Sequence, residues 1–120
     1  MPTHESRRSQ RVGDLILHET ADILQRQVKD PRVALVTLTG VDVSPDLRVA
    51  KVYFSCLDPQ ADPDQVRRGL DSACGFIRRE LGHALQLKAV PELRFFHDDS
   101  LERGFRVQDV IESLHHESDE

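Results

Sequence analysis

The 120-residue sequence contains no tryptophan, one tyrosine, one methionine and only two cysteines. Cys56 and Cys74 have no second cysteine or histidine at the spacing of a metal site, so we predict reduced, buried thiols. No apolar run approaches the ~20 residues that cross a bilayer. The N-terminal segment lacks the apolar stretch of a secretory signal. These absences argue against a disulfide-stapled scaffold, a zinc module and a membrane protein, and we expect a cytoplasmic chain.

Acidic residues are concentrated near the C-terminus, which makes the net charge of −5 misleading. Residues 98–120 carry two basic and eight acidic residues, whereas residues 1–97 carry 14 basic and 13 acidic ones. The body of the chain is therefore near neutral, with several of its arginines in adjacent pairs. A uniformly basic chain would by itself indicate nucleic-acid binding. This composition neither supports nor excludes that function.

The first half of the chain predicts a helix followed by a hairpin. Apolar residues recur at helical spacing from about Ser6 to Val28, and Asp30-Pro31 ends the helix, because a residue before proline avoids helical geometry. Two segments rich in β-branched residues follow, at 33–43 and 47–56. The turn residues between them are few, so the two strands should pair as an antiparallel hairpin.

The second half predicts a helix, a strand and a short terminal helix. Asp62-Pro63 has the chemistry of an N-cap followed by an N1 proline, and the helical pattern continues to about Leu87. The strand covers 92–97. We predict one α+β domain over 6–100, with a three-stranded sheet and helices packed on one face. A flexible N-terminus (1–5), a short C-terminal helix (101–114) and a disordered acidic tail (115–120) complete the chain.

Gly75 lies in the middle of the long helix, where glycine costs about 1 kcal/mol relative to alanine. On an ideal helix the apolar residues form one stripe, and Phe76 alone falls opposite it. Either Phe76 is exposed, or the helix bends at Gly75 and turns this ring toward the core. We predict the bend, a kink between two helical segments, because glycine is a known cause of kinks.

Two arginine pairs share the polar face of this helix with Gly75 and Gly82. Arg67 and Arg78 lie about 20° apart around the axis, and Arg68 and Arg79 are aligned in the same way. One interpretation is a solvated face, with salt bridges to Asp64, Asp71 or Glu80. The other is a surface on which bare backbone lets a phosphate chain approach between arginines.

Further cations could extend such a surface. Arg7, Arg8 and Arg11 would form a cluster if the first helical turn is ordered, although a frayed basic terminus fits the sequence equally well. Lys51 on the second strand and Lys88 after the long helix are candidates whose facing the sequence does not fix.

The chain resembles the ribosome-binding factor A family, whose members have a type II KH domain in which an interhelical kink replaces the usual GxxG loop. The resemblance is carried by R11-V-G-D-L-I16, by V41-D-V-S-P-D-L-R-V-A-K-V-Y53, by A73-C-G-F-I-R78 and by V90-P-E-L-R-F-F-H-D-D-S100. It extends from Arg11 to about Leu114. The last of these segments is the most specific, whereas a small-x-glycine break alone would be weak.

The resemblance implies a cytoplasmic, monomeric, non-enzymatic protein without cofactor or metal. Such a protein binds the immature 30S subunit through 16S rRNA, assists late 16S rRNA maturation including the 5′ end, and matters most in the cold. An assembly GTPase would help its release. The expected RNA-binding residues are Arg7, Arg8, Arg11, Lys51, Arg67, Arg68, Ala73, Gly75, Arg78, Arg79 and Lys88. The alternative is a protein–protein adaptor that uses the sheet edge and the C-terminal helix.

The sequence contains no recognisable catalytic motif, in agreement with the non-enzymatic function that the resemblance implies. His97-Asp98-Asp99 is better explained by a strand end and a helix cap than by a metal site, because adjacent strand residues point to opposite faces. Cys74 lies on the apolar stripe of its helix and lacks a neighbouring base, so we interpret it as a core residue.

Overall fold

A computed structural model describes residues 7–100, which form two helices, a short 3₁₀ turn and three strands. In chain order these are α1 (Arg7–Arg26), the 3₁₀ turn (Pro31–Val33), β1 (Val36–Val43), β2 (Val49–Cys56), α2 (Pro63–Leu85) and β3 (Glu92–His97). The predicted N-terminal segment (1–5), C-terminal helix (101–114) and acidic tail (115–120) lie outside the described residues. Between residues 7 and 100, neither helix is both long and apolar enough to cross a membrane.

Local side-chain chemistry sets most of the element boundaries. The Asp62 carboxylate accepts a hydrogen bond from the backbone N–H of Asp64 (3.0 Å), so α2 begins at Pro63 as predicted. β1 begins at Val36, later than predicted, because Asp30 caps the 3₁₀ turn that precedes it. Hydrogen bonds from the side chain and the backbone of Arg32 to this carboxylate lower the pKa of Asp30.

The sheet has the order β1-β2-β3, with β2 in the centre. β1 and β2 are antiparallel, and their register runs from Val36 opposite Cys56 to Val43 opposite Ala50, with a bulge between Leu38 and Gly40. β3 is parallel to β2, because the chain crosses over through α2 before it returns. The predicted hairpin and the predicted third strand are both confirmed.

Both helices cover the same face of the sheet. Alternate residues of β2 are buried beneath them, namely Ala50, Val52 and Phe54, each fully inaccessible. They join one core cluster with apolar residues of α1, α2 and β3, including Ile16, Ile23, Leu70, Ile77, Leu81, Leu93 and Phe95. The predicted α+β architecture, with helices on one face of a three-stranded sheet, is therefore confirmed.

The predicted kink at Gly75 is wrong, because α2 is one unbroken α-helix from Pro63 to Leu85. Leu70, Ile77 and Leu81 are all fully buried, so the apolar stripe packs on both sides of the glycine and holds the helix together across it. Phe76 stays on the outside with 36% of its surface accessible, which is the alternative that the sequence left open. The helix therefore continues through Gly75 despite the propensity cost of this residue.

Two glycines of α2 have opposite environments, and this predicts opposite stability effects. A Cβ at Gly75 would meet nothing within 4 Å, whereas a Cβ at Gly69 would lie 2.9 Å from Val33 Cγ1 and 3.0 Å from Arg32 Cβ. We expect Gly75→Ala to raise the free energy of unfolding by up to about 1 kcal/mol. Gly69→Ala should lower it, because overpacking a buried contact costs about 1–3 kcal/mol.

Urea denaturation of the two variants beside the wild type measures both effects. A destabilised Gly75→Ala variant would show that the helix needs glycine at this position for its own geometry. Equal stabilisation by both alanines would show that the 3₁₀ turn does not pack tightly on Gly69.

Candidate nucleic-acid interface

The outer face of α2 presents arginines beside uncovered backbone. Arg67, Arg68 and Arg79 are exposed, and so is Gly75 between them. At ~1.5 Å per residue, Arg67 and Arg79 are about 18 Å apart along the helix axis. No described residue lies within 4 Å of the position of a Cβ at Gly75, so nothing between residues 7 and 100 covers this stretch of backbone. This set, Arg67, Arg68, Gly75 and Arg79, is referred to below as the α2 outer face.

The arginines of the α2 outer face form no ion pair with any residue between 7 and 100. Ion pairs in that part of the chain join Arg26 to Asp22, Arg32 to Asp30, Arg48 to Asp46 and Arg94 to Glu92. The salt bridges that a solvated face would use, to Asp64, Asp71 or Glu80, are not formed among the described residues. The α2 outer face therefore carries positive charge that is available to an external anion.

Arg78, unlike Arg79, forms hydrogen bonds to backbone carbonyl groups within residues 7–100. Its guanidinium donates one hydrogen bond to the carbonyl oxygen of Pro91 (3.2 Å) and another to that of Val90 (2.9 Å). These bonds tie α2 to the loop that leads into β3. The same loop covers Gly82, where a Cβ would lie 3.2 Å from Val90 Cγ2. The expected exposed backbone at Gly82 is thus absent, because a segment distant in sequence packs over it.

Three more of the expected residues lie apart from the α2 outer face. Ala73 is half-buried and packs against the core, so it offers no side chain to a ligand. Lys88 is exposed on the loop that Arg78 holds. Lys51 alternates with the buried residues of β2 and lies on the sheet face opposite the helices. The sheet therefore separates Lys51 from α2, and the expected continuous track through Lys51 is not formed.

Cys74 belongs to the inner side of α2. Its thiol lies 4.0 Å from the carbonyl oxygen of Leu93, which it faces as a weak donor. Burial raises the pKa of the Cys74 thiol, and the nearby Arg78 only partly opposes this. A thiol with a raised pKa is a poor nucleophile at neutral pH. This environment agrees with the interpretation of Cys74 as a packing residue.

The three N-terminal arginines begin α1. Arg7, Arg8 and Arg11 are exposed and have no ion pair within residues 7–100. A Cβ at Gly13 would lie 3.1 Å from the carbonyl oxygen of Val41, whereas the other end of α1 lies over the start of β1. α1 is therefore antiparallel to β1. Its arginines lie at the end of the sheet where β1 ends and β3 begins.

This end of the sheet is also the end that α2 reaches before the loop to β3. Arg79 and Lys88 therefore share an end of the molecule with the α1 arginines. Arg67 and Arg68 lie toward the other end of α2, where Gly69 meets the 3₁₀ turn. The expected site thus divides into a cationic end, the rest of the α2 outer face, and Lys51 on the opposite face.

One group of side chains was not singled out from the sequence. Tyr53 and Phe96 lie side by side on the sheet face opposite the helices, with ring centroids 5.9 Å apart and planes inclined at 33°. Lys51 and Arg94 are register partners two residues earlier on the same strands. Strand alternation in 49–56 and 92–97 would have placed all four on one face if the two strands had been assumed to pair in parallel.

Comparison with known proteins identifies relatives along most of the chain. The family model described as ribosome-binding factor A matches residues 8–111. A Nitrosospira multiformis protein of that name is 43% identical over 112 residues, covering 93% of this chain and 88% of its own. A Staphylococcus carnosus protein of the same name is 42% identical over 108 residues, covering 90% of this chain and 94% of its own.

Solved structures show the same fold. The solution structure of a Thermotoga maritima candidate ribosome binding factor A has a TM-score of 0.69 at 30% identity, over 82% of this chain and 93% of that one. The crystal structure of ribosome-binding factor A from Thermus thermophilus has a TM-score of 0.65 at 21% identity, over 74% and 94% respectively. A Thermus thermophilus homology model fitted into the map of a complex with 30S has a TM-score of 0.57 at 20% identity, over 80% and 97%.

The contacts of Arg78 predict that it contributes to stability and that Arg79 does not. Arg78→Ala removes both bonds to the loop before β3, and hydrogen bonds made by a charged donor contribute roughly 1.5–3 kcal/mol when buried. Because this guanidinium is partly exposed, we expect a loss of about 1–2 kcal/mol. Arg79→Ala should change the free energy of unfolding by less than about 0.5 kcal/mol.

Urea unfolding measures both variants, and amide exchange of residues 86–91 reports the loop directly. Arg78→Ala should accelerate this exchange, with Arg79→Ala as the matched control. Equal stability and equal exchange in the two variants would contradict the assignment.

Proposed function

Because the chain belongs to the ribosome-binding factor A family, we propose that it is a ribosome assembly factor that binds the immature 30S subunit through 16S rRNA. The observation that carries this proposal is the α2 outer face, where Arg67, Arg68 and Arg79 surround bare backbone and form no ion pair within residues 7–100. The family match over residues 8–111 and the names of the relatives support it.

The proposed contact is electrostatic and local. The chain as a whole carries a net charge of −5, so we assign the attraction to RNA to particular arginines and not to the overall charge. Arginine suits phosphate at short range because its planar fork donates to two oxygens at once. An arginine without an intramolecular partner gives up no ion pair when it binds. Contacts of this kind fix position and orientation on folded RNA and read its shape, not its sequence.

We further propose that the protein assists late maturation of 16S rRNA, including the 5′ end, by holding the RNA and not by catalysis. Its residues would stabilise one arrangement of the RNA on which processing enzymes then act. Under this proposal it acts as a cytoplasmic monomer, its contribution is largest in the cold, and an assembly GTPase helps it leave. We also propose that its domain is of the type II KH kind.

A protein–protein adaptor is the second candidate, favoured by one feature of the surface. Leu35 and Leu57 are 68% and 51% exposed at one end of the molecule. An apolar groove beside them is lined by Ala34, Cys56 and Val66, among others. Salt distinguishes the two functions, since phosphate binding weakens steeply as salt rises, whereas apolar contact responds little.

Charge reversal on α2 tests the proposed RNA contact. Arg67→Glu with Arg68→Glu should abolish co-sedimentation with purified 30S subunits in a sucrose gradient, because two attractions become repulsions. Neither side chain has a partner within residues 7–100, so the melting temperature should stay near that of the wild type.

The matched control is Arg26→Glu with Lys29→Glu, which changes the net charge equally at residues outside the α2 outer face. This control should retain 30S binding. If the α2 variant co-sediments as the wild type does, the α2 outer face is not the contact and the adaptor function gains support.

The N-terminal arginines should contribute to binding without contributing to stability. Changing Arg7, Arg8 and Arg11 together to alanine should weaken 30S binding. It should also reduce the slope of log K against log salt by about 0.7–0.9 for each phosphate that is no longer neutralised. Titrations between 50 and 200 mM salt give the slope, with thermal melting as the stability check. A slope equal to that of the wild type would remove these arginines from the proposed interface.

A further inference from the structure

The face of the sheet opposite the helices is not covered by any element between residues 7 and 100. Its most prominent feature is the ring pair of Tyr53 and Phe96, with centroids 5.9 Å apart. Phe96 keeps 37% of its surface accessible, whereas its neighbour Phe95, which points to the helix-covered face, is 2% accessible. Exposed, fixed aromatic rings on a sheet are the surfaces on which unpaired nucleobases stack.

Two cations flank the rings. Lys51 and Arg94 are register partners on the parallel strands β2 and β3, so two like charges lie on neighbouring strands. Such placement is unfavourable unless something else compensates for it. Lys51 forms no ion pair within residues 7–100. Because Arg94 is paired with Glu92, the charge that remains for an external anion at this position is that of Lys51.

Acidic side chains limit the site on two sides. Glu92 pairs with Arg94 at 3.2 Å, and both groups remain more than half exposed. Asp42 is the register partner of Lys51 on β1. At the other end, Thr39 Oγ1 donates to Asp98 Oδ2 (2.9 Å) across β2, and this contact closes the face above the buried Ser55. The open area is therefore small, from the Lys51–Arg94 pair to the ring pair.

We infer that this face binds an unpaired nucleotide of single-stranded RNA. The base stacks on Phe96 and Tyr53, and a neighbouring phosphate lies between Lys51 and Arg94. The cation pair and the ring pair are two residues apart on each strand, about 6.6 Å, a separation that one nucleotide can span. A protein partner would need about 800 Å² on each side, much more than two rings supply. The inference deepens the proposed RNA function, but its site is on the opposite side of the sheet from α2.

Fluorescence anisotropy with a 5′-labelled single-stranded hexauridylate tests the stacking surface in the full-length protein. Phe96→Ala should raise the Kd roughly 5- to 150-fold, the range measured for loss of one base-stacking ring. Phe96→Tyr should restore binding, because it retains a flat ring. Leu57→Ala, which removes an exposed apolar side chain elsewhere, should leave the Kd unchanged.

The salt dependence of binding tests whether Lys51 and Arg94 contact phosphate. Lys51→Ala with Arg94→Ala should reduce the slope of log K against log salt by about 0.7 for each phosphate that the variant no longer neutralises, whereas Arg26→Ala with Lys29→Ala should not. Glu92→Gln should tighten hexauridylate binding several-fold, because it frees Arg94 from a competing carboxylate.

Several results would overturn the inference: no hexauridylate binding by the wild type, an unchanged Kd in Phe96→Ala, or equal affinity for a duplex of the same length. A benzophenone side chain at position 96 that crosslinks to residues 101–120, with or without RNA, would instead assign the face to the chain itself. The 30S test is separate, because a protein that binds 30S but not hexauridylate keeps the proposed function and loses only this site.

Discussion

The packing of α2 on the inner face of the sheet, over β3 and beside α1, decides which side chains can meet a ligand. Leu70, Ile77 and Leu81 lie against the inner face formed by Val52, Phe54 and Phe95, and all six are at most 2% accessible. This contact turns the opposite side of α2 to solvent with its arginines. It also leaves the second face of the sheet without a cover among the described residues. Two chemically different surfaces therefore arise from a single packing event, and neither can move without disturbing the core.

The body of the chain is near neutral overall, but its unpaired arginines are concentrated on α2 and at the N-terminus, because the ion pairs are unevenly distributed. Within residues 7–100, the arginines outside α2 and the N-terminus are largely paired with nearby carboxylates, as in Arg26–Asp22 and Arg32–Asp30. The arginines of the α2 outer face are not. Net charge is thus a poor guide to this surface, since short-range recognition depends on which cations remain unpaired and not on how many there are.

The sequence predicted the elements well where a local signal determines them. The bounds of β3 and the start of α2 follow from Pro91 and from the Asp62-Pro63 cap, and both are as predicted. The prediction of a break at Gly75 is wrong, because burial of the apolar stripe on both sides of the glycine outweighs the helix propensity of that one residue. The sequence also misplaced Gly82 and Arg78, whose partners, Val90 and Pro91, come from a loop that no helical projection includes.

The sequence was sufficient to predict which face of the sheet Lys51 lies on, since Lys51 alternates with the apolar residues Ala50 and Val52. The sequence was not sufficient to predict the cross-strand neighbours of Lys51. The parallel pairing that places Lys51 beside Arg94, and Tyr53 beside Phe96, arises only when β3 returns beside β2. Likewise, whether an arginine has found a carboxylate depends on side-chain positions that spacing along one helix cannot give.

The bulge between Leu38 and Gly40 has a consequence for the behaviour of the protein at high concentration. β1 is an edge strand whose outer row of amide and carbonyl groups has no strand beside it among the described residues. A flat edge of that kind is a template onto which a second molecule can add its own strand. The extra residue at Thr39 twists the edge halfway along its length and breaks the regular spacing of those groups. The irregularity therefore protects the sheet from growing into a larger, intermolecular one.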